Sequence, residues 1–178
     1  MQIFDSGLRY GGVSRLLHWS MALLLMWQFA SAIARVLASE TALDEFLWST
    51  HRELGALLML LVVVRGIWGV INASRRPPAL SVMARLGHLA LYALMIAVPL
   101  IALIRQYGSG RAFSPFGVPL MSGFEGERIE WMVALGGQFH GLLGWTLLAL
   151  VVGHVGMAIL HKRLGGQDVM TRMTSLRR

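Results

Sequence analysis

Residues 136–166 read GGQFHGLLGWTLLALVVGHVGMAILHKRLGG and decide the fold. They belong to a longer run, 131–161, that contains no Asp, Glu, Lys or Arg. A membrane-spanning α-helix needs about 20 consecutive apolar residues, so this run predicts a complete span. It nevertheless contains histidines at positions 140, 154 and 161. Because polar side chains are costly inside a bilayer, these histidines indicate a functional site within the span.

The rest of the chain is similarly apolar. Of its 178 residues, 56% are hydrophobic and only 14% are charged, which is too apolar for a soluble domain. Three further stretches, 16–34, 54–72 and 86–104, are long and apolar, and only Arg65 interrupts them. Lipid cannot satisfy free backbone groups, so we predict an all-α transmembrane four-helix bundle. Its helices cover about 13–37, 51–72, 84–104 and 131–161, in a single membrane domain that ends in a short cytoplasmic tail, 162–178.

The net charge of +7 does not indicate a nucleic-acid partner, because the basic residues cluster at helix ends. Ten lie before helix 1, between helices 2 and 3, or after helix 4, whereas four lie in the other two connections. This bias predicts a multi-pass protein with cytoplasmic N- and C-termini. The start of the chain resembles a signal peptide, but its apolar run continues beyond Ala32, so we expect an uncleaved first helix. The absence of cysteine excludes disulfides, zinc–thiolate sites and iron–sulfur clusters.

The predicted topology pairs four histidines by depth. His51 and His140 fall at an outer level, and His18 and His154 fall at an inner level. His140 and His154 are 14 residues apart, close to four helical turns, so both project from nearly one face. At about 1.5 Å per residue, they stand roughly 21 Å apart along the helix.

Two imidazoles facing each other at each of two depths are typical of haem ligation. A haem is a large apolar disc whose iron accepts one nitrogen from each side, and a helical bundle has room for it in its core. We therefore expect two haem b groups, each with two histidine ligands, which would relay electrons across the bilayer. Glycines near the histidines either leave room for a macrocycle or form helix contacts. They are Gly55, Gly137, Gly141, Gly144, Gly153 and Gly156.

Four more residues are candidates for the site. Arg65, 14 residues after His51, either pairs with haem propionates or extends to the cytoplasmic edge of the membrane. Arg52 is a similar candidate beside the outer haem. His88 and His161 lie at the cytoplasmic edge. They are either exposed histidines at helix ends or proton carriers for a quinone, because their ordinary pKa near 6.5 suits proton transfer.

The combination resembles the bacterial cytochrome b561 family over nearly the whole chain. The matching motifs are Arg15-Leu16-Leu17-His18-Trp19, His51-Arg52 followed by Gly55, Leu86-Gly87-His88-Leu89, and the His140/His154 pair. The resemblance implies a four-helix di-haem protein of the bacterial inner membrane that exchanges electrons with ubiquinone. It also implies that His18 pairs with His154 and that His51 pairs with His140 as iron ligands. A relative of this type oxidises superoxide to oxygen at the outer face, and the resemblance extends that expectation to this chain.

Two alternatives stay open at this stage. The chain is a cytochrome subunit that relays electrons between a partner dehydrogenase and quinone, or, more remotely, a metal or proton transporter. A transporter should carry acidic residues paired with histidines inside its spans, and the deep parts of these helices carry none. The sequence does not give the oligomeric state.

Overall fold

The computed structural model describes residues 2–163 and 169–174. Its helices are α1 (Gly12–Leu37), α2 (Ala42–Ser49), α3 (His51–Ile71), α4 (Val82–Gly108), α5 (Glu130–Arg163) and α6 (Val169–Thr174), with a short 3₁₀ turn at Pro115–Gly117. Within the described residues there is no β-strand, only an isolated bridge between Phe113 and Met121. Four helical segments are long and apolar enough to cross a membrane, with α2 and α3 together forming the second. The predicted all-α membrane fold is confirmed.

The short helix α2 was not predicted. Thr41 begins it, because its hydroxyl accepts a hydrogen bond from the backbone N–H of Asp44 at 3.3 Å. The Asp44 side chain is fully buried and forms an ion pair with Arg35 at 2.8 Å. This pair ties the end of α1 to α2, and α3 then starts at once with His51. The polar residues Glu40, Thr41 and Asp44 are typical of a loop in the sequence, whereas in the structure their hydrogen bonds start a helix.

The bundle core lies between α1, α3 and α4. Met21, Leu58 and Val62 are buried there, and Tyr92 and Met95 pack against them. Many large apolar side chains on the four spans are exposed, as expected of surfaces that face lipid.

Helices α4 and α5 pack closely because glycine removes side chains at their contact. A Cβ atom added at Gly136 would collide with the side chain of Arg105, and one added at Gly108 would collide with Met132. These two glycines therefore set the distance between the helices.

The N-terminal segment folds onto the bundle end near His18. The fully buried carboxylate of Asp5 accepts hydrogen bonds from the Gly11 backbone N–H at 2.8 Å and from the Ser14 hydroxyl at 2.6 Å. It also forms an ion pair with Arg76 at 3.1 Å. We call this cluster of Asp5, Ser14 and Arg76 the N-terminal clasp.

The predicted tail, 162–178, is described only in part. Helix α6 lies against the N-terminal segment, since the Tyr10 backbone N–H donates to the Arg172 carbonyl at 3.2 Å. The Trp19 indole also donates to the Met173 carbonyl at 3.2 Å. Residues 164–168 and 175–178 of the predicted tail lie outside the described residues.

Candidate functional site

The outer pair consists of His51, in the first turn of α3, and His140 on α5. Their ring centres are 6.3 Å apart, and the ring planes are nearly perpendicular at 82°. His51 is held from two sides: Trp48 stacks on its ring at 4.6 Å, and its Nδ1 lies 2.7 Å from the Ser31 hydroxyl oxygen. Both histidines are half-buried. Residues of four helices, α1, α2, α3 and α5, thus meet at this pair.

The orientation of His140 is fixed by the backbone of α4. Its Nδ1 lies 3.0 Å from the carbonyl oxygen of Val98, the residue before Pro99. A carbonyl oxygen can only accept, so Nδ1 of His140 carries the proton and donates. In a neutral imidazole the other nitrogen, Nε2, then keeps a free lone pair. His140 is therefore held in the tautomer that can bind a metal through Nε2.

The inner pair consists of His18 on α1 and His154 on α5. Their ring centres are 6.4 Å apart, at an angle of 75°. Here Nδ1 of His18 lies 2.9 Å from a guanidinium nitrogen of Arg65. Because arginine can only donate, Nδ1 of His18 accepts, and the proton of the neutral ring lies on Nε2. Metal binding through Nε2 requires this proton to leave Nε2 and Arg65 to release Nδ1.

A third imidazole lies at the inner level. The His88 ring, on α4, is 5.3 Å from the His154 ring at an angle of 67°, and His88 is exposed. His161 lies half-buried in the last turn of α5 and, among the described residues, makes no ring contact with this cluster. The structure therefore brings His88 to the inner pair but does not bring His161 there.

Arg65 lies within the bundle. Its guanidinium carbon is 5.7 Å from the centre of the Tyr92 ring, and the group bonds His18 as described above. The guanidinium thus contacts the inner pair. Arg52 is exposed, and its guanidinium carbon lies 5.1 Å from the centre of the Phe113 ring.

The spacing of the two rings in each pair fits a haem iron. Iron held between two imidazole nitrogens lies about 2 Å from each, which separates the ring centres by roughly 6 Å. The outer pair at 6.3 Å and the inner pair at 6.4 Å meet this condition. The contact of His88 with His154, at 5.3 Å, is shorter than this spacing. Among the described residues, no group of three or more His, Cys, Asp or Glu is arranged to hold a bare metal ion.

The glycines divide into two groups. A Cβ atom added at Gly137 or Gly144 would meet nothing within 4 Å, and the same holds at Gly141, Gly153 and Gly156. Gly137 and Gly144 lie one turn before and one turn after His140, so they share its face and leave space for a flat group. Gly55 differs, because a Cβ atom there would lie 3.1 Å from the Gln28 amide. Gly55 thus makes room for Gln28 of α1, which is the helix contact that was the alternative to macrocycle space.

Three contacts of the outer pair, made by Gln28, Ser31 and Val98, were not predicted from the sequence. The Gln28 amide donates to the His51 carbonyl at 3.0 Å, and Ser31 is fully buried. The sequence does indicate a role for Gln28 and Ser31, because they are polar residues three apart in an uncharged span. The role of the Val98 carbonyl had no signal, since backbone acceptors are not visible in side-chain patterns.

A cavity of about 180 Å³ opens at the start of α3. It is lined by Ser49, Arg52, Glu53, Phe113 and Ser114, so it lies between the start of α3 and the α4–α5 connection. Its lining combines a positive, a negative and two hydroxyl side chains. The cavity is thus a polar site near His51 at one end of the bundle.

Fold and site together define a class: a helical membrane protein in which histidines from different spans face each other at two levels. The chain matches the family described as prokaryotic cytochrome b561 over residues 9–176. It is also 32% identical over 176 residues to a protein of Escherichia coli (strain K12) named cytochrome b561 homolog 2, covering 93% of this chain and 90% of that protein. The chain belongs to the prokaryotic cytochrome b561 family, whose members are membrane electron-transfer proteins that carry haem b.

Proposed function

We propose that the protein binds two haem b groups and passes electrons between one face of the membrane and ubiquinone. His51 and His140 would hold the outer haem, and His18 and His154 would hold the inner one. The observation that carries this proposal is the equal spacing of the two pairs, 6.3 and 6.4 Å, on different helices. Bound haem b supplies an iron that accepts and returns one electron.

The protein's own residues orient the ligands and make the space. The Val98 carbonyl holds His140 with Nε2 free, and Gly137 and Gly144 leave the α5 face open beside it. At the inner level Arg65 contributes a positive charge next to His18. This charge would favour a negatively charged partner there, such as a haem propionate.

Quinone reduction fits the inner level. Ubiquinone takes up two electrons and two protons to become the quinol, so its site needs a proton donor near the inner pair. His88 is exposed and contacts His154, which makes it a suitable proton donor. His161 remains a second candidate at the end of α5.

Superoxide is the proposed electron donor at the outer level. Two superoxide anions would each lose one electron and become oxygen, and the two electrons would reduce one quinone. The cavity beside His51 contains Arg52, whose charge would attract a small anion, although Glu53 opposes it. The cavity size, about 180 Å³, suits a small donor. A partner dehydrogenase at the same face is the alternative donor.

The haem proposal is tested by counting haems per chain and recording reduced-minus-oxidised absorption spectra of the purified protein. Wild type should contain two haems. His140→Ala or His51→Ala should lose only the outer haem, and His18→Ala or His154→Ala should lose only the inner one. Four variants that each keep two haems with unchanged spectra would contradict the ligand assignment.

The donor is tested with the same preparation. Purified protein with a soluble ubiquinone should consume superoxide rapidly and form quinol, and Arg52→Gln should slow this reaction while both haems remain. A protein that leaves superoxide untouched, and that instead co-purifies with a dehydrogenase able to reduce it, would be a relay subunit.

A further inference from the structure

Ser31 connects α1 to the outer pair through two hydrogen bonds. Its side chain is completely buried in the membrane span. Its hydroxyl oxygen lies 2.7 Å from the Gln28 carbonyl oxygen, one turn earlier in α1. The same oxygen lies 2.7 Å from Nδ1 of His51 on α3. A buried serine needs only the first of these bonds to be satisfied, so the second requires its own explanation.

The direction of both bonds follows from counting protons. A hydroxyl has one proton to donate and can accept with its lone pairs, whereas a carbonyl oxygen can only accept. The Ser31 proton therefore goes to the Gln28 carbonyl. The second bond then takes its proton from His51, so Nδ1 of His51 is protonated and Nε2 has the free lone pair. Ser31 thus does for His51 what the Val98 carbonyl does for His140.

Two neighbours keep His51 in this arrangement. Trp48 stacks on the ring at 4.6 Å and 23°, which restricts its rotation. The Gln28 amide donates to the His51 backbone carbonyl at 3.0 Å and occupies the space left by Gly55. Gln28 therefore contacts both the serine and the histidine backbone, so α1 and α3 hold one another in register at this site.

We propose that Ser31 is the positioning residue that holds His51 in its iron-binding tautomer and raises the electron-donating strength of that ligand. The inference rests on the proposed function, because it assigns Ser31 a role toward the outer haem. A hydrogen bond accepted from the far nitrogen of a ligating histidine increases the basicity of the ligand. A more basic ligand stabilises the ferric state more than the ferrous state, so Ser31 lowers the reduction potential of the outer haem.

The test compares Ser31→Ala, Ser31→Thr and a control variant, Thr146→Ala. Thr146 also bonds a carbonyl of its own helix, that of Leu142 at 2.9 Å, but it is exposed and far in sequence from His51. Each intact di-haem protein is titrated with redox mediators, and the outer component is identified as the one that His140→Ala removes. Loss of such an outer-shell partner costs about 10–100-fold in metal affinity. If only the affinity for ferric haem falls, each tenfold loss of that affinity raises the reduction potential of the outer haem by about 59 mV.

The expected result is a higher outer potential in Ser31→Ala, with the inner potential unchanged and with Ser31→Thr and Thr146→Ala both close to wild type. If Ser31→Ala loses the outer haem entirely, its return in Ser31→Thr supports the role of the hydroxyl, and its absence there overturns it. An unchanged or lowered outer potential in Ser31→Ala also overturns the inference, as does an equal shift of both components. A wild-type protein that never contains haem would refute the proposed function itself, which is a separate outcome.

Discussion

Substitution of Arg65 is the most direct test of the proposed haem between His18 and His154. Its guanidinium lies 2.9 Å from His18 Nδ1, half-buried and inside a bundle whose surface faces lipid. A fixed positive charge beside a redox centre stabilises the reduced form, because reduction adds a negative charge. We expect Arg65→Gln to lower the potential of the inner haem while both haems remain bound.

The size of the shift follows from distance. Iron binding releases Nδ1 of His18 from Arg65, so we place the Arg65 charge just beyond that ring, about 8 Å from an iron between His18 and His154, which gives about 2 kcal/mol at an effective dielectric constant of 20. For a one-electron couple this corresponds to about 90 mV. The outer pair lies roughly 21 Å further along the bundle. At that distance, with a dielectric constant closer to that of water, the shift in the potential of the outer haem is roughly 20 mV or less.

The assay is a spectroscopic redox titration of the purified protein. Arg65→Lys keeps the charge, so the potential of the inner haem should stay close to that of the wild type. Arg85→Gln removes an exposed arginine near the start of α4, the helix end that carries His88, and should have little effect on that potential. An inner potential that moves by less than about 20 mV in Arg65→Gln, or an outer potential that moves equally, would refute the electrostatic reasoning.

Three other predictions concern the clasp, the glycines and the third imidazole. Asp5→Ala should destabilise the protein by about 3 kcal/mol, because it leaves the buried Gly11 N–H and Ser14 hydroxyl without their acceptor. Thermal unfolding in detergent measures this, and an unchanged midpoint would contradict it. Gly144→Leu should fill the open space beside His140 and reduce the haem count toward one per chain. Gly136→Ala should disturb the packing of α4 on α5 and lower the yield of folded protein, without selective loss of one haem. Equal haem counts in the two variants would argue against a haem beside Gly144. His88→Gln should slow quinone reduction with both haems retained, and a lost haem would instead identify His88 as a ligand.

Much of the fold follows from composition alone. Runs of uncharged residues longer than a bilayer thickness have one stable structure, so the four spans could be predicted. The short helix α2 could not, since it depends on the burial of Asp44 against Arg35, a contact between segments.

The part of the candidate site that depends on the spacing of histidines along a helix could be predicted. The spacing of His140 and His154 places both on one face, and their partners follow from depth. The tautomers were not predictable, because they depend on which atom reaches each Nδ1: a hydroxyl, a carbonyl or a guanidinium. The contact between Gly55 and Gln28 could not be predicted either, because a glycine one turn after His51 can also leave room for a side chain of another helix.

The contacts of the two pairs differ in a way that bears on the direction of electron flow. The outer histidines both donate from Nδ1, to Ser31 and to the Val98 carbonyl, and these bonds lower the potential of a bound haem. The inner pair has Arg65 beside it, and this charge raises the potential. Arg52 at the outer end is exposed, so solvent screens most of its effect. Electrons that enter at the outer pair would therefore move to a higher potential at the inner pair, next to His88. On this reasoning the component that His140→Ala removes is the one with the lower potential.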